Sequence, residues 1–266
     1  MYVDTHLHLD EPWLTDSEKR QRVIEDITAH EILTFAQSCD LASHEKTVEW
    51  AEQSKYVIPS FGILPWYANR YMDQLDEVAK LCDEATMLGE IGLDLRSDRN
   101  EASRDEQLAL LDVFLKAAEA HDMVMNLHFR GGMEPVGLEV LKRYDVKRAI
   151  FHWYSGTLEL MDEINEAGFY YSIGQTHLSE ASQAARDRIT AMVRKIPDDR
   201  LLLEIDVLPR TPAALPSKVF RGILEDIAAI RGMSPDELEA LNQQNVRKLV
   251  GDSPRVAEIT DLLTQS

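Results

Sequence analysis

The sequence predicts an α/β protein: a (β/α)8 TIM barrel built as a single domain over residues 1–266, with extra helices at its C-terminal end. Three observations carry that expectation. Short β-rich runs alternate with longer amphipathic stretches along almost the whole chain, the alternation amounts to eight strand–helix units, and no repeat or low-complexity linker interrupts it. Such alternation requires parallel strands joined by helical crossovers, and eight units can close into a barrel instead of leaving two edges open. A length of 266 residues matches one such barrel, which typically takes about 250.

The expected strands are short, largely apolar runs at 2–6, 31–36, 57–63, 86–91, 124–128, 149–153, 169–173 and 201–206. Helical periodicity follows at 17–30, 43–55, 71–85, 103–121, 134–145, 157–168, 179–196 and 217–231, with two more helices near 235–249 and 254–264. The Pro-bearing stretch 207–216 reads as a loop and 233–235 as a helix start, so neither marks a domain boundary.

Composition removes several classes of function. With 44% hydrophobic residues, a chain of this size buries roughly 70–75% of its unfolded surface, which excludes disorder. The 47 acidic and 28 basic residues give a net charge of −19 at pH 7. That excludes a broad basic surface tracking a nucleic-acid backbone, though not a locally positive site. Cys39 and Cys82 form no CxxC, so neither a disulfide framework nor a cysteine zinc site is supported, and a reducing compartment is expected. No apolar run approaches the roughly 18 residues of a membrane span, and the N-terminus lacks a signal-peptide pattern. Cleavage there would also discard the chemically richest motif. A soluble cytoplasmic protein is expected, a monomer or small homo-oligomer with no membrane and no obligate protein partner.

In a barrel of this kind the functional groups lie at the carboxyl ends of the strands. His6 and His8 are two residues apart at the first strand end, so both imidazoles point to the same face. Glu90 ends the fourth strand within GEIGLDLR, His128 the fifth within NLHFR, His152 the sixth within FHWYSG, and Asp206 the eighth within LLLEIDVLP. Four imidazoles and two carboxylates on one rim suit Zn²⁺, Mn²⁺ or a related dication, and six ligands are too many for one open catalytic zinc. Two metals bridged by a carboxylate would use them all, and such a pair performs hydrolysis.

In these residues the sequence resembles the metal-dependent hydrolases of the TatD type, within the amidohydrolase superfamily. The resemblance runs from Asp4 to Gly251 through D-T-H-x-H-L-D at 4–10, G-E-x-G-L-D at 89–94, H-x-R at 128–130 and H-x-x-S-G at 152–156. It continues through S-I-G at 172–174, L-L-L-E-x-D at 201–206 and N-x-R-x-L-x-G at 245–251. By that resemblance, His6 and His8 hold one metal with Asp206, Glu90 bridges, and His128 with His152 holds the second. Members of this family are described as deoxyribonucleases, often 3′ exonucleases, using Mg²⁺, Mn²⁺ or Zn²⁺. The resemblance implies a phosphodiesterase whose metal-bridged hydroxide attacks phosphorus in line, with nucleic-acid ends or another anionic phosphoester as substrate.

Two dications, Glu90, Asp206 and a hydroxide leave the rim at about +1 before Arg130 and Arg96 are added, enough to draw a phosphate. Few counterions would be released elsewhere, so the expected substrates are nucleotide ends or small phosphoesters instead of long duplexes. Glu90 and Asp206 are the expected catalytic carboxylates, Asp206 taking or passing the proton, with Glu204 beside them in an orienting role. Arg130 is expected to hold a phosphate oxygen. Ser155, Gly156 and Thr157 are expected to open the sixth helix and offer it free N–H groups. Trp66, Tyr67, Trp153 and Tyr154 lie past strand ends, where they either stack on a base or pack loops.

Two positions depart from the family pattern. Gly62–Pro65 reads GILP where G-x-H-P is common, and Ile205 stands between Glu204 and Asp206 where threonine is common. Leu64 cannot donate to phosphate, which keeps open hydrolysis of an amide, lactone or small phosphoester, and also a metal-binding protein with little or no catalysis. The remaining residues take plainer readings. His30 and His121 cap helix ends or lie at the surface, His44 faces solvent, His177 faces the mouth or the surface, and Cys39 is a small buried residue. Asp4 orients a ligand or is structural, and Asp10 does so or caps the chain.

Overall fold

Side-chain parity along eight short strands divides this chain into an interior and an outer face. The structure, a computed structural model, describes residues 1–10, 14, 17–96, 100–174, 182–211 and 213–264. The strands are β1 (Tyr2–His8), β2 (Ile32–Gln37), β3 (Val57–Phe61), β4 (Met87–Asp94), β5 (Met125–Arg130), β6 (Ala149–His152), β7 (Tyr170–Gly174) and β8 (Leu201–Glu204), paired in parallel in that order. β8 returns to β1 through a bridge between Leu7 and Asp206. The Asp206 N–H donates to the His6 carbonyl at 2.7 Å, and the His8 N–H donates to the Asp206 carbonyl at 3.0 Å. The predicted (β/α)8 barrel is therefore what the chain forms.

The helices are α1 (Ser17–Ala29), α2 (Leu41–Ala51), α3 (Leu75–Glu84), α4 (Arg104–His121), α5 (Glu134–Leu141), α6 (Leu160–Glu166), α7 (Gln183–Lys195), α8 (Pro216–Arg231), α9 (Pro235–Val250) and α10 (Ala257–Thr264). Their starts follow local chemistry. Ser103 with Glu106 and Ser234 with Glu237 form reciprocal capping boxes, and Pro235 takes the first helical position of α9. Three helices are shorter than their periodicity suggests. Pro65 begins a 3-10 segment, Pro65–Tyr71, which delays α3 to Leu75, and α5 ends at Leu141. The sixth helix begins at Leu160 instead of 157, and the Leu160 N–H donates to the Thr157 hydroxyl at 3.3 Å. Residues 179–181, expected to start α7, lie outside the described residues.

Residues at the strand starts fill the amino-terminal end of the barrel: Val3, Leu33 with Phe35, Ile58, Met87, Val124 just before β5, Ile150, Tyr170 and Leu202. Val246, Leu249 and Val250 of α9 and Ile259 and Leu263 of α10 pack against this layer, so the extra C-terminal helices seal the base. Above this layer the interior turns polar on most strands, through buried His6, Ser60, Glu90, Asn126, His152, Ser172 and Glu204. On β1 and β4 the ladder shifts register between Asp4 and Leu7 and between Leu88 and Ile91. Each shift brings residues three apart onto one face, Val3 with His6 and Met87 with Glu90, where strict alternation would separate them. Gly92, at φ +157°, makes room for this: a Cβ there would lie 1.9 Å from the His128 carbonyl oxygen.

The seam between β8 and β1 is tied from below by Asn242 of α9, which donates to the Val3 carbonyl at 2.7 Å and accepts from the Leu203 N–H at 3.1 Å. Asn242→Leu strands both buried backbone groups. It is expected to lower stability by about 2–4 kcal/mol, read as a fall in the urea midpoint. An unchanged midpoint would show that the seam does not depend on this side chain.

Candidate metal centre

The polar upper interior begins with His6, whose protonation is fixed by a neighbour. Asn126 Nδ2 donates to the Thr5 carbonyl at 2.7 Å, which turns its Oδ1 toward His6 Nδ1 at 2.8 Å as an acceptor. His6 Nδ1 therefore carries the proton, and Nε2 presents a bare lone pair. That lone pair faces His8 Nε2 at 3.1 Å. Two nitrogen ligands of a tetrahedral zinc, each about 2.0–2.1 Å from the ion, lie about 3.3 Å apart. The spacing fits a shared cation.

Glu90 lies between two pairs of imidazoles. Its Oε2 is 2.9 Å from His8 Nε2 and 3.7 Å from His6 Nε2, while its Oε1 abuts His128 Nδ1 and lies 3.4 Å from His152 Nε2. Asp206 Oδ1 is 3.8 Å from His6 Nε2. Two triads, His6–His8–Asp206 and Glu90–His128–His152, each have their ligand atoms within 4.8 Å of one another, and all six residues are buried. The structure thus brings together every residue the sequence nominated as a metal ligand. A carboxylate with one oxygen toward each pair has the arrangement of a bridge.

Electrostatics divide the site. Burial opposes the charged form of His8 and His128, but Cys39 and Asp10 around the one and Glu90 with Asp94 around the other outweigh it and raise both. A cation must therefore displace a proton from each, whereas His6, His152 and Glu90 are held in their ligating forms. Burial, reinforced by His152, holds the His6 imidazole well below its ordinary value, and burial pushes His152 down to about 4. Both are neutral near pH 7, as metal ligation requires. Burial pushes the Glu90 carboxyl up, but the facing His128 and His152 outweigh it and keep Glu90 well below the usual carboxylate range. Burial raises the Asp206 carboxyl instead, against the opposing pull of His152 and His8, which suits a group that must accept a proton.

Further residues hold the imidazoles in place. His152 Nδ1–H donates to Glu204 Oε2 at 2.8 Å, and His128 Nε2–H donates to Asp94 Oδ2 at 3.1 Å. Glu204 also accepts from the Ser172 hydroxyl and from the Trp153 N–H at 3.2 Å. With its oxygens engaged by three donors, Glu204 is placed to orient His152, the orienting position expected of it, and has no oxygen left for a catalytic role of its own. Asp94 is pinned by Gln107, which accepts from its N–H and donates to its carbonyl, both at 2.9 Å.

At the mouth, the Arg130 guanidinium lies 3.7 Å over the Trp153 ring and donates to the Trp153 carbonyl at 3.1 Å. Trp153 has φ +40°, unusual for a bulky residue, and its N–H, carbonyl and ring are all held, the pattern of strain kept beside a functional site. Arg96 is paired with Asp94 at 2.5 Å. Four residues expected to contact substrate are engaged elsewhere in this structure. Tyr154, 2% exposed, packs against Phe151 and Tyr171 and donates to the Thr157 carbonyl, leaving no face for a base. Ser155 donates to the buried Glu134 at 2.7 Å, and neither it nor Gly156 belongs to a helix N-terminus, since α6 starts later. Trp66, 7% exposed, sets its ring against His128 at 82°, a wall of the centre and not an open stacking surface.

The remaining histidines divide. His30 donates from Nδ1 to the Asp26 carbonyl at the end of α1, and His121 meets Asp83 at 2.9 Å, in line with cap and surface roles. His44 does not simply face solvent; it bonds the Ser60 carbonyl at 3.2 Å and packs against Phe61. His177 lies outside the described residues. Asp4 stitches the seam, its Oδ1 accepting from the Ile205 N–H at 2.9 Å and the His6 N–H at 3.2 Å. Cys39 is only partly buried, with Sγ 3.6 Å from His8 Nδ1. Sequence reasoning missed Asn126, Asp94 and Ser172. Asn126 stands two residues before His128 on one strand, the same spacing that identified His6 and His8.

Residues 3–251 match the family described as TatD related DNase. The chain is 27% identical over 213 residues to the metal-dependent hydrolase YjjV of Escherichia coli, a match covering 77% of this chain and 78% of that protein. It is 26% identical over 214 residues to the 3'-5' ssDNA/RNA exonuclease TatD of Erwinia amylovora, covering 75% and 80%. The crystal structure of the Escherichia coli TatD homologue YjjV superposes with a TM-score of 0.78 at 23% identity, covering 93% of this chain and 97% of that one.

Asp94→Asn keeps shape but weakens the acceptor that fixes the His128 ring. Metal affinity is expected to fall about 10–100-fold with little change in thermal midpoint of the metal-free protein, read by calorimetric titration with Mn²⁺. Unaltered affinity would exclude the positioning role.

Proposed function

The chain belongs to the TatD related DNase family of metal-dependent hydrolases, and on that footing we propose that residues 1–266 form one catalytic domain, a binuclear phosphodiesterase acting on nucleic-acid ends or short phosphoesters. The carrying observation is Glu90, with one carboxylate oxygen toward the His6–His8 pair and the other toward the His128–His152 pair. In this reading His6, His8 and Asp206 would hold one dication and His128 and His152 the other, with Glu90 able to contribute an oxygen to each. The donor set of imidazole and carboxylate accepts Zn²⁺, Mn²⁺ or Mg²⁺. When bound, such a pair polarises a phosphoryl oxygen and makes water acidic enough to attack near neutral pH.

The chain's own groups do the rest. Asp206, with its carboxyl raised by burial, accepts the proton of the attacking water and passes it toward the leaving oxygen. Asn126, Asp94 and Glu204 hold three imidazole rings in register. Arg130, fixed over Trp153, directs its guanidinium to a non-bridging phosphate oxygen. Trp66 walls the site beside His128 and limits water there.

Net charge supports a short substrate. At −19 the chain repels a long polyanion except where the arginines and bound cations lie. No helix among the described residues is long and apolar enough to cross a membrane, so nothing there opposes access to substrates in solution. The name of the Erwinia relative supports an exonuclease acting on single strands.

Glu90→Gln and Asp206→Asn are each expected to lower kcat by about 10²–10⁴-fold on bis-nitrophenyl phosphate with Mn²⁺, the fold being retained. Unchanged turnover in both would overturn the assignment. Across a panel of short single-stranded DNA, long duplex DNA, lactones and amides, short single strands should be cleaved fastest, with a shallow dependence on salt. Equal turnover of long duplex with a steep salt slope would contradict the short-substrate reading, and turnover confined to lactones or amides would replace phosphodiesters by carbonyl substrates.

A further inference from the structure

Each imidazole of the centre has a second nitrogen that must be satisfied, and one of the four is satisfied differently. His6, His128 and His152 each give theirs to a single oxygen, at 2.8, 3.1 and 2.8 Å. His8 Nδ1 instead lies 3.6 Å from Cys39 Sγ and 3.6 Å from Asp10 Oδ1, and the ligand atoms of these three residues all lie within 4.8 Å of one another. Zinc–sulfur and zinc–nitrogen bonds of about 2.3 and 2.0 Å in a tetrahedron set the N···S edge near 3.5 Å and the N···O edge near 3.4 Å. The spacings match a ligand set, the 3.6 Å sulfur–nitrogen contact being equally the length of a thiol-to-imidazole hydrogen bond that a cation would replace.

The position of the thiol is fixed independently of any ion. The Cys39 N–H donates to Ser43 Oγ at 2.7 Å, and its carbonyl accepts from the Leu64 N–H at 2.9 Å. Cys39 and Asp10 are both partly exposed, whereas His8 is buried, so solvent reaches the set on the side of the thiol and the carboxylate.

We propose that His8 Nδ1, Asp10 and Cys39 form an outer site for a thiophilic dication such as Zn²⁺ or Cd²⁺, mutually exclusive with full occupation of the inner centre. The exclusion follows from one proton shared by two nitrogens. When His8 Nε2 serves the inner centre, the proton is on Nδ1 and faces Cys39 and Asp10. When a cation takes Nδ1, the proton moves to Nε2 and is donated to Glu90 Oε2, 2.9 Å away. The thiol proton leaves to solvent as the thiolate binds. Filling the outer site thus withdraws His8 from the inner one. Mn²⁺ and Mg²⁺, which prefer oxygen ligands, leave the outer site free. Thiophilic cations in excess therefore inhibit. The binding claim stands on the ligand set alone; the inhibition rests on the phosphodiesterase reading above.

The test uses the full chain loaded with Mn²⁺ and titrated with Co²⁺, following the thiolate-to-metal charge-transfer absorption in the near ultraviolet. The wild-type chain and Cys82→Ser should develop the band, Cys39→Ser and Cys39→Ala should not, and Asp10→Asn should need at least tenfold more Co²⁺. Absence of the band in the wild type, or its persistence in both Cys39 variants, would overturn the site. In parallel, Zn²⁺ is titrated against Mn²⁺-supported turnover of bis-nitrophenyl phosphate. The half-inhibiting concentration should rise at least tenfold in Cys39→Ser relative to that variant's own uninhibited rate. A complete charge-transfer band with no loss of turnover would overturn the exclusion. A chain inactive with every metal would refute the phosphodiesterase reading, while the absorbance titration would still decide the site.

Discussion

Two buried imidazoles, His6 and His8, whose Nε2 atoms face one another at 3.1 Å are a costly arrangement unless something positive joins them. Polar groups taken out of water must find partners, and because Asn126 fixes the His6 proton on the far side of the ring, the bare His6 Nε2 is met only by a proton on His8 Nε2 or by a shared cation. The upper interior is thus built for a cation in the same way that the lower interior is built for packing. Val3, Leu33, Met87, Val124 and their companions, closed by α9 and α10, supply apolar burial at one end of the barrel. That stability allows the other end to carry Glu90, Asp206, Glu204 and the four histidines at almost no exposure.

The two register shifts connect these halves. Without the shift on β1, the face carrying Val3 would carry Thr5 and Leu7, and the histidines would point toward the surrounding helices. Without that on β4, Glu90 would leave the centre. The unusual backbone of Trp153 and Asp206, both at positive φ at strand ends, belongs to the same rim and re-aims chain segments around it.

Much of this was legible in the chain itself. Eight alternating units named the barrel, and polar residues at the ends of apolar runs named the six candidate ligands, because a buried histidine or carboxylate there must either hold a cation or, like Glu204, hold a residue that does. What was not legible depends on contacts between distant residues. Asp94 stood within a quoted motif, but only the approach of β5 to β4 shows it meeting His128. Cys39 gave no sign of a partner because His8 lies on the neighbouring strand, 31 residues away. Tyr154 and Ser155 misled for a related reason: position just past a strand end does not reveal that one ring turns into the core and that the other hydroxyl is taken by Glu134.

Anomalous diffraction from crystals soaked in Mn²⁺ addresses the binuclear centre most directly. The account requires two peaks about 3.5–4 Å apart, one among His6, His8 and Asp206 and one between His128 and His152, with Glu90 touching both. A single peak, or peaks away from Glu90, would contradict it.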